Sequence, residues 1–237
     1  MEPIKIKHSY NAGDLLTILP GLKQLHRDTG RLVNIFQRLD LPAHYYDGQV
    51  VSTVNSEGAS VCMNRELFDR MKPLVEACDY IQSMNVWQGE AVDFDYDLTR
   101  DSKSVPMPYG LINTWGEAIF PQTSTDLSVG WINCWNYSFK RQYADRVLIN
   151  RTGRYNNPYM TFYFLKPYES QLLFTGTEKE HLDFCTKNNL EIERLITDDF
   201  LDLALIMRCC KFGVYSQSVT WHIADGMKSK RILEVCQ

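Results

Sequence analysis

The C-terminal part of the chain alternates short apolar runs with stretches of helical periodicity, and this alternation constrains the fold most. Arg146 to Asn150, Gln171 to Phe174, Glu191 to Ile196, Phe212 to Tyr215 and Arg231 to Val235 each have the length and apolar content of a strand. Between them, Glu178 to Asn188 and Asp199 to Cys210 have helical spacing, with Asp198 or Asp199 as a cap. A further helix opens at Ser216-Gln217-Ser218 and runs to about Met227. Strands separated by helices pair in parallel, because only a long crossover returns the chain in the same direction.

The opening residues repeat the pattern. Ile4 to His8 reads as a strand and Ser9 to Asp14 as a polar loop. Leu15, Ile18, Leu19, Leu22 and Leu25 then line one face of a helix that Gly30 ends, and Arg31 to Phe36 is the next strand. The middle is less regular. Arg65 to Cys78 has helical character, Tyr80 to Val86 is extended, Val92 to Leu98 alternates acids with apolar residues, and Tyr109 to Phe120 forms another helix. The aromatic-rich stretch Trp131 to Tyr143 marks the boundary between two domains, residues 1–140 and 141–237. The expected fold is α/β, with two Rossmann-like lobes facing a central cleft lined by the carboxyl ends of strands.

Composition narrows the function classes. The 237 residues are 44% hydrophobic and 23% charged, which is ordinary for a globular protein with a sizeable core. A net charge of -4 excludes a large electrostatic surface for nucleic acid, which needs clustered Lys and Arg. No apolar run reaches the ~18–20 residues of a membrane span, and Met1 to Lys5 has no apolar leader. The seven cysteines are scattered without a CxxC pair, so zinc is not expected, Cys209 and Cys210 read as packing residues, and the compartment implied is the reducing cytoplasm.

Chemistry is expected in the loops. Thr175-Gly176-Thr177-Glu178 and Ser216-Gln217-Ser218 each join a strand to a helix, where unpaired N–H groups and the helix dipole attract anions. The loop Asn150 to Tyr155 adds Arg151, Thr152 and Arg154, whose planar guanidinium donors suit a diphosphate. Asp14 stands at the start of the first helix, as a cap or as a general base. Asn11 and Gly13 in the loop leading to Asp14, and His222 on the last helix, a packed core residue or a catalyst, complete the candidate set. The run Asp93-Phe94-Asp95-Tyr96-Asp97 is expected to turn its acids to solvent, and no metal is assigned to it.

Three of these segments together resemble the heptosyltransferase family of GT-B glycosyltransferases. Asn11-Ala12-Gly13-Asp14-Leu15-Leu16-Thr17-Ile18-Leu19-Pro20-Gly21-Leu22-Lys23 is similar to the family's opening Gly-Asp loop and helix. Leu172 to Glu180 is similar to its strand–Gly–acidic-helix element, and Phe212 to Ala224 to its nucleotide-sugar loop, with Ser218, His222 and Ala224 matching. Gln217 and Val219 replace the acid and glycine of that loop, and the chain is shorter than typical members.

The resemblance implies an inverting, metal-independent transfer of a sugar from a nucleotide-sugar co-substrate, with no further cofactor. Asp14 would be the base that deprotonates the acceptor. Arg151, Arg154 and the Ser216–Ser218 amides would hold the diphosphate, and Glu178 would face the ribose. The acceptor would be a glycan, a small molecule or a modified nucleobase, and the oligomeric state is left open. Two alternatives stand beside it: a non-catalytic nucleotide-binding protein on the same fold, and a structural protein whose interface is Trp131 to Tyr143.

Overall fold

The computed structural model describes residues 1–43, 53–97, 125–134 and 136–235. The helix expected at Tyr109 to Phe120 and the end of the Val92–Leu98 run lie outside the described residues. The chain divides into two compact units, Met1–Cys134 and Trp135–Gln237.

In the first unit, strands β1 (Ile4–His8), β2 (Val33–Gln37), β3 (Ile81–Val86) and β4 (Phe94–Asp95) form a parallel sheet in the order β3-β2-β1-β4 among the described residues. Helix α1 (Ala12–Thr29) buries Leu15, Ile18, Leu19, Leu22 and Leu25, the stripe expected from its periodicity, together with Leu16, and ends at Gly30. Helix α2 (Arg65–Glu76) starts where the Asn64 side chain accepts the Leu67 N–H at 2.8 Å, and buries Phe68, Met71 and Leu74. Trp131, Ile132 and Cys134 are buried in this unit, where the Tyr80 hydroxyl donates to the Trp131 carbonyl at 2.8 Å. The opening residues 131–134 of the segment proposed as an interface therefore belong to the core of this unit.

The second unit holds β5 (Val147–Asn150), β6 (Leu172–Thr175), β7 (Glu193–Leu195), β8 (Phe212–Ser216) and β9 (Arg231–Glu234), parallel throughout in the order β7-β6-β5-β8-β9. Every residue of β5 and β6 is buried, as expected for inner strands covered on both faces, which explains their apolar runs Val147–Ile149 and Leu172–Phe174. Helices α3 (Glu178–Asn188), α4 (Phe200–Cys209) and α5 (Val219–Met227) alternate with the strands, and a 3-10 helix spans Tyr163–Gln171. Cys209 and Cys210 lie at the end of α4, half-buried rather than in the core. Burial, with some help from the neighbouring Cys209, pushes the Cys210 thiol up to about 11, so it stays a thiol at neutral pH.

One side of the sheet packs Phe174, Phe184 and Phe162 into a common cluster with Val147, Ile149, Leu172, Leu190 and Ile192. The Phe184 ring lies 5.4 Å from Phe174 and 5.3 Å from Phe162, contacts worth about 0.5–1.5 kcal/mol each beyond area burial. Gly213 belongs to the same logic. A Cβ there would fall 1.9 Å from the buried Tyr215 ring, so the strand admits that ring only over a glycine.

Both units wind the same way. Numbered within its own unit, the first sheet runs 3-2-1-4 and the second 3-2-1-4-5, the doubly wound order. Chain order reverses beside the first strand of each, between β1 and β4 and between β5 and β8. Ligands of such sheets settle in the crevice at the carboxyl ends of those two strands.

Candidate functional site

The β5–β8 reversal brings together two of the loops singled out in the sequence. Asn150 ends β5 and is buried. Its Nδ2 donates to the Thr175 carbonyl at 2.7 Å, and its Oδ1 accepts the Ser218 hydroxyl at 2.6 Å. One amide thereby ties the ends of β5, β6 and β8. Alongside it, Ser216 is buried and its Oγ accepts the Thr152 N–H at 3.0 Å, with the Thr152 hydroxyl 3.2 Å away. Ser218 N–H turns back to the Ser216 carbonyl at 2.8 Å, leaving Gln217 exposed at the tip.

The two helix N-termini that looked equivalent in sequence differ here. At α3, Thr177 and Glu180 form a full capping box: Thr177 Oγ1 accepts from Glu180 N at 3.2 Å, and a Glu180 carboxylate oxygen accepts from Thr177 N at 2.9 Å. The anion at that terminus is the protein's own. Gly176, at φ 155°, makes the tight turn into it; a Cβ would meet the Phe174 ring at 2.8 Å and Glu180 at 3.0 Å. Glu178 is exposed on the first turn. At α5 the N-cap Ser218 accepts no hydrogen bond from the helix; its hydroxyl instead donates to Asn150. The dipole of α5 is thus presented, uncapped by its N-cap side chain, at the reversal point. His222 lies half-buried in its first turns, its N–H on the Ser218 carbonyl.

The arginines of the β5 loop separate as well. Arg151 was expected to face a diphosphate, but its side chain is only 7% exposed and pairs with Glu234, itself 2% exposed, at 3.0 Å. Its Nη2 also donates to the Asn157 carbonyl at 2.6 Å, and its plane lies over the Phe162 ring. That charge is neutralised inside the unit, which corrects the direct role expected of it. Arg154 is exposed, its guanidinium 4.4 Å over the Tyr155 ring. It is the arginine of this loop that faces solvent.

In the first unit, the β1–β4 reversal carries Asp14. Asp14 is half-buried in the first turn of α1, with the Asn11 amide 3.4 Å from its carboxylate and its carbonyl accepting the Thr17 hydroxyl. Asn11 is the N-cap, yet its side chain accepts no helix N–H, and Gly13 is half-buried beside it. Of the acids in this run Asp93 is exposed, as expected, whereas Asp95 and Asp97 are drawn inward rather than turned to solvent. Lys7, buried at the end of β1, donates to Asp95 at 2.8 Å and Asp97 at 2.7 Å, and the Ser9 hydroxyl donates to Asp97 at 2.6 Å. Asp93 accepts from the Lys5 backbone instead. His8 and Gln37 complete this edge: Gln37 Nε2 donates to carbonyls, so its Oε1 accepts from His8 Nδ1 at 2.8 Å. Among the described residues no group of three or more His, Cys, Asp or Glu is arranged to hold a metal ion.

Neither a protein-family model nor a curated protein matches this sequence. Solved structures do. The E. coli heptosyltransferase WaaC with ADP-2-deoxy-2-fluoro heptose superposes with a TM-score of 0.66 at 9% identity, over 98% of this chain and 88% of its own. WaaC with ADP gives 0.59 at 10% identity, covering 98% and 86%. A glycosyl transferase family 9 protein from Veillonella parvula DSM 2008 gives 0.61 at 8% identity, covering 98% and 80%. The fold is that of the heptosyltransferase-like glycosyltransferases. This likeness in fold extends along nearly the whole chain.

Within this heptosyltransferase-like fold, sequence reasoning overlooked the residues that hold the loops. Asn150 is the polar end of the run Val-Leu-Ile-Asn, and Glu234 the acid after Arg-Ile-Leu. An uncharged or acidic residue closing an apolar strand was the available signal for both. Lys7 gave a similar one within Ile-Lys-Ile-Lys-His. No helix among the described residues is long and apolar enough to cross a membrane.

Proposed function

We propose that the chain is an inverting glycosyltransferase that takes a sugar from a nucleotide-sugar donor and needs no metal. The observation that carries the reading is the uncapped N-terminus of α5 at the β5–β8 reversal, in a fold shared with an enzyme solved with ADP and an ADP-heptose analogue. The α5 amides, Thr152 and Arg154 would hold the diphosphate. Their fixed dipoles stabilise the charge that develops as the glycosidic bond breaks, without reorganising at that moment. Glu178, exposed beside the β6 turn with Thr175, Gly176 and Thr177, would meet the nucleoside ribose. Asp14 would accept the proton of the acceptor hydroxyl as its oxygen attacks the anomeric carbon. The acceptor is a hydroxyl of a glycan, a small molecule or a modified nucleobase.

A second reading has one feature in its favour: Gln217 and Val219 stand where the family's donor loop carries an acid and a glycine. On that reading the protein binds a nucleotide without turning it over. A thermal-shift panel of nucleotide-sugars, followed by a transfer assay on wild type and Asp14→Asn, separates the two. A transferase shows a donor that raises Tm equally in both proteins, with the rate of Asp14→Asn down by about 10²-fold or more. Binding with no turnover in either protein establishes the second reading, and equal activity of the two removes Asp14 as the base.

A further inference from the structure

Burying an ion pair is expensive. Desolvating the two charges costs about what their attraction returns, and an apolar pair of similar volume is often as stable. Yet Arg151 and Glu234 form such a pair at the end of β5 and β9, across 83 residues of sequence. Their hydrogen bonds show what the pair shapes. Glu234 accepts from Arg151 Nε at 3.0 Å and from the Asn157 backbone N–H at 2.9 Å. Arg151 Nη2 returns to the Asn157 carbonyl at 2.6 Å and reaches Met160 O at 3.4 Å. A single carboxylate therefore clamps both ends of the loop 151–157.

Inside that clamp the loop is bonded to itself. Asn156 Nδ2 donates to the Thr152 carbonyl at 2.8 Å, and Tyr155 N–H to Thr152 Oγ1 at 3.3 Å. Its outer turn, Gly153-Arg154, is exposed, and its inner edge is fastened to β8 through Thr152 N–H and Ser216 Oγ. Glu234 is in register with Ser216 on the neighbouring strand, so the clamp and the fastening share one strand end.

Resting on the donor reading above, we infer that Arg151 and Glu234 are positioning residues: their buried pair sets the loop that carries Thr152 and Arg154 to the β5–β8 reversal. The pair's contacts are with the loop itself, so it acts on a ligand only through that loop. It decides where the ligand's contacts stand.

The double variant R151M/E234L separates positioning from stability, because it removes both charges together and keeps apolar bulk. Its Tm is expected to stay near that of wild type, whereas amide hydrogen exchange in 152–157 speeds up by tenfold or more, on the order of the loss of one or two hydrogen bonds. Calorimetry with ADP, UDP, GDP and CDP then compares the tightest wild-type nucleotide in both proteins, with an affinity loss of about tenfold expected. In turnover the donor KM should rise by that factor with kcat little changed. Wild-type exchange in 152–157 overturns the inference, and so does unaltered nucleotide affinity despite a loosened loop.

If wild type binds none of the four nucleotides, the donor reading fails, and the exchange measurement alone decides whether the pair sets the loop. Should the double variant not fold, Arg151→Lys serves. An ammonium cannot reproduce the planar fork between Glu234 and two carbonyls, so exchange at Asn157 should still accelerate. An unchanged rate there again overturns the inference.

Discussion

Arg151 and Arg154 are three residues apart and chemically identical, and their surroundings give them opposite duties. The first is enclosed by a carboxylate, two carbonyls and an aromatic face, so its charge is already answered. The second extends over Tyr155 at the exposed turn, where stacking orients a planar guanidinium without burying it. A charge-assisted hydrogen bond to a phosphate contributes about 1.5–3 kcal/mol. Arg154→Ala should therefore weaken the tightest-binding nucleoside diphosphate by about 10- to 100-fold in calorimetry, with Tm in the absence of ligand unmoved. Wild-type affinity in that variant would take Arg154 out of the site. Its fold-building neighbour would betray itself differently: Arg151→Ala leaves Glu234 buried without its cation and should lower Tm before any ligand is added.

At the scale of elements, local signals served well and distant pairings did not. The helix Glu178–Asn188 has the boundaries read from its helical spacing, and β1 spans the Ile4–His8 run read from its apolar content. The run ending in Asp95 and Asp97 departs there from the expected solvent face, because alternation says which residues share a face but not what lies beside that face. Its partner Lys7 is 88 residues from Asp95 in sequence, on the neighbouring strand β1. The same distance hid the clamp at Glu234, and the diversion of the Ser218 hydroxyl to Asn150 could not be told from an ordinary cap.

The Lys7 cluster has a pH signature of its own. Burial favours the neutral amine, but hydrogen bonds and charge from Asp95 and Asp97 outweigh it and hold the ammonium above the ordinary lysine value of 10.5. A group whose pKa is higher folded than unfolded contributes stability fully below the unfolded value, and loses it as pH rises through the folded one. Urea unfolding of wild type and Lys7→Met should differ by a constant amount from neutral pH to about 10, with the difference shrinking at more alkaline pH. A difference that does not narrow there would show that Lys7 gains nothing from the two carboxylates.

Each half of the molecule repeats one plan, a parallel sheet wound outward from its first strand, with its own core and its own reversal point. The chemistry assigned to the reversal points differs in kind. That of the first unit offers carboxylates balanced by a lysine and a helix N-terminus whose first turn already carries the acid Asp14; that of the second offers helix amides with no acid in the first turn, hydroxyls and Arg154. An anionic nucleotide should therefore find its site in the second unit alone. A ligand present at 100 times its Kd adds about 2.7 kcal/mol to whatever it binds folded, which slows globally exchanging amides about 100-fold. Hydrogen exchange with saturating nucleoside diphosphate should show that slowing in β5, β6 and β8, with the strongest local protection in 150–156 and 216–222. Amides of β1, β2 and β3 should keep their ligand-free rates if the two sheets open separately, and slow in parallel if they open together. Protection centred on residues 9–14, with none at 216–222, would move the nucleotide to the first unit and leave α5 without the role given to it.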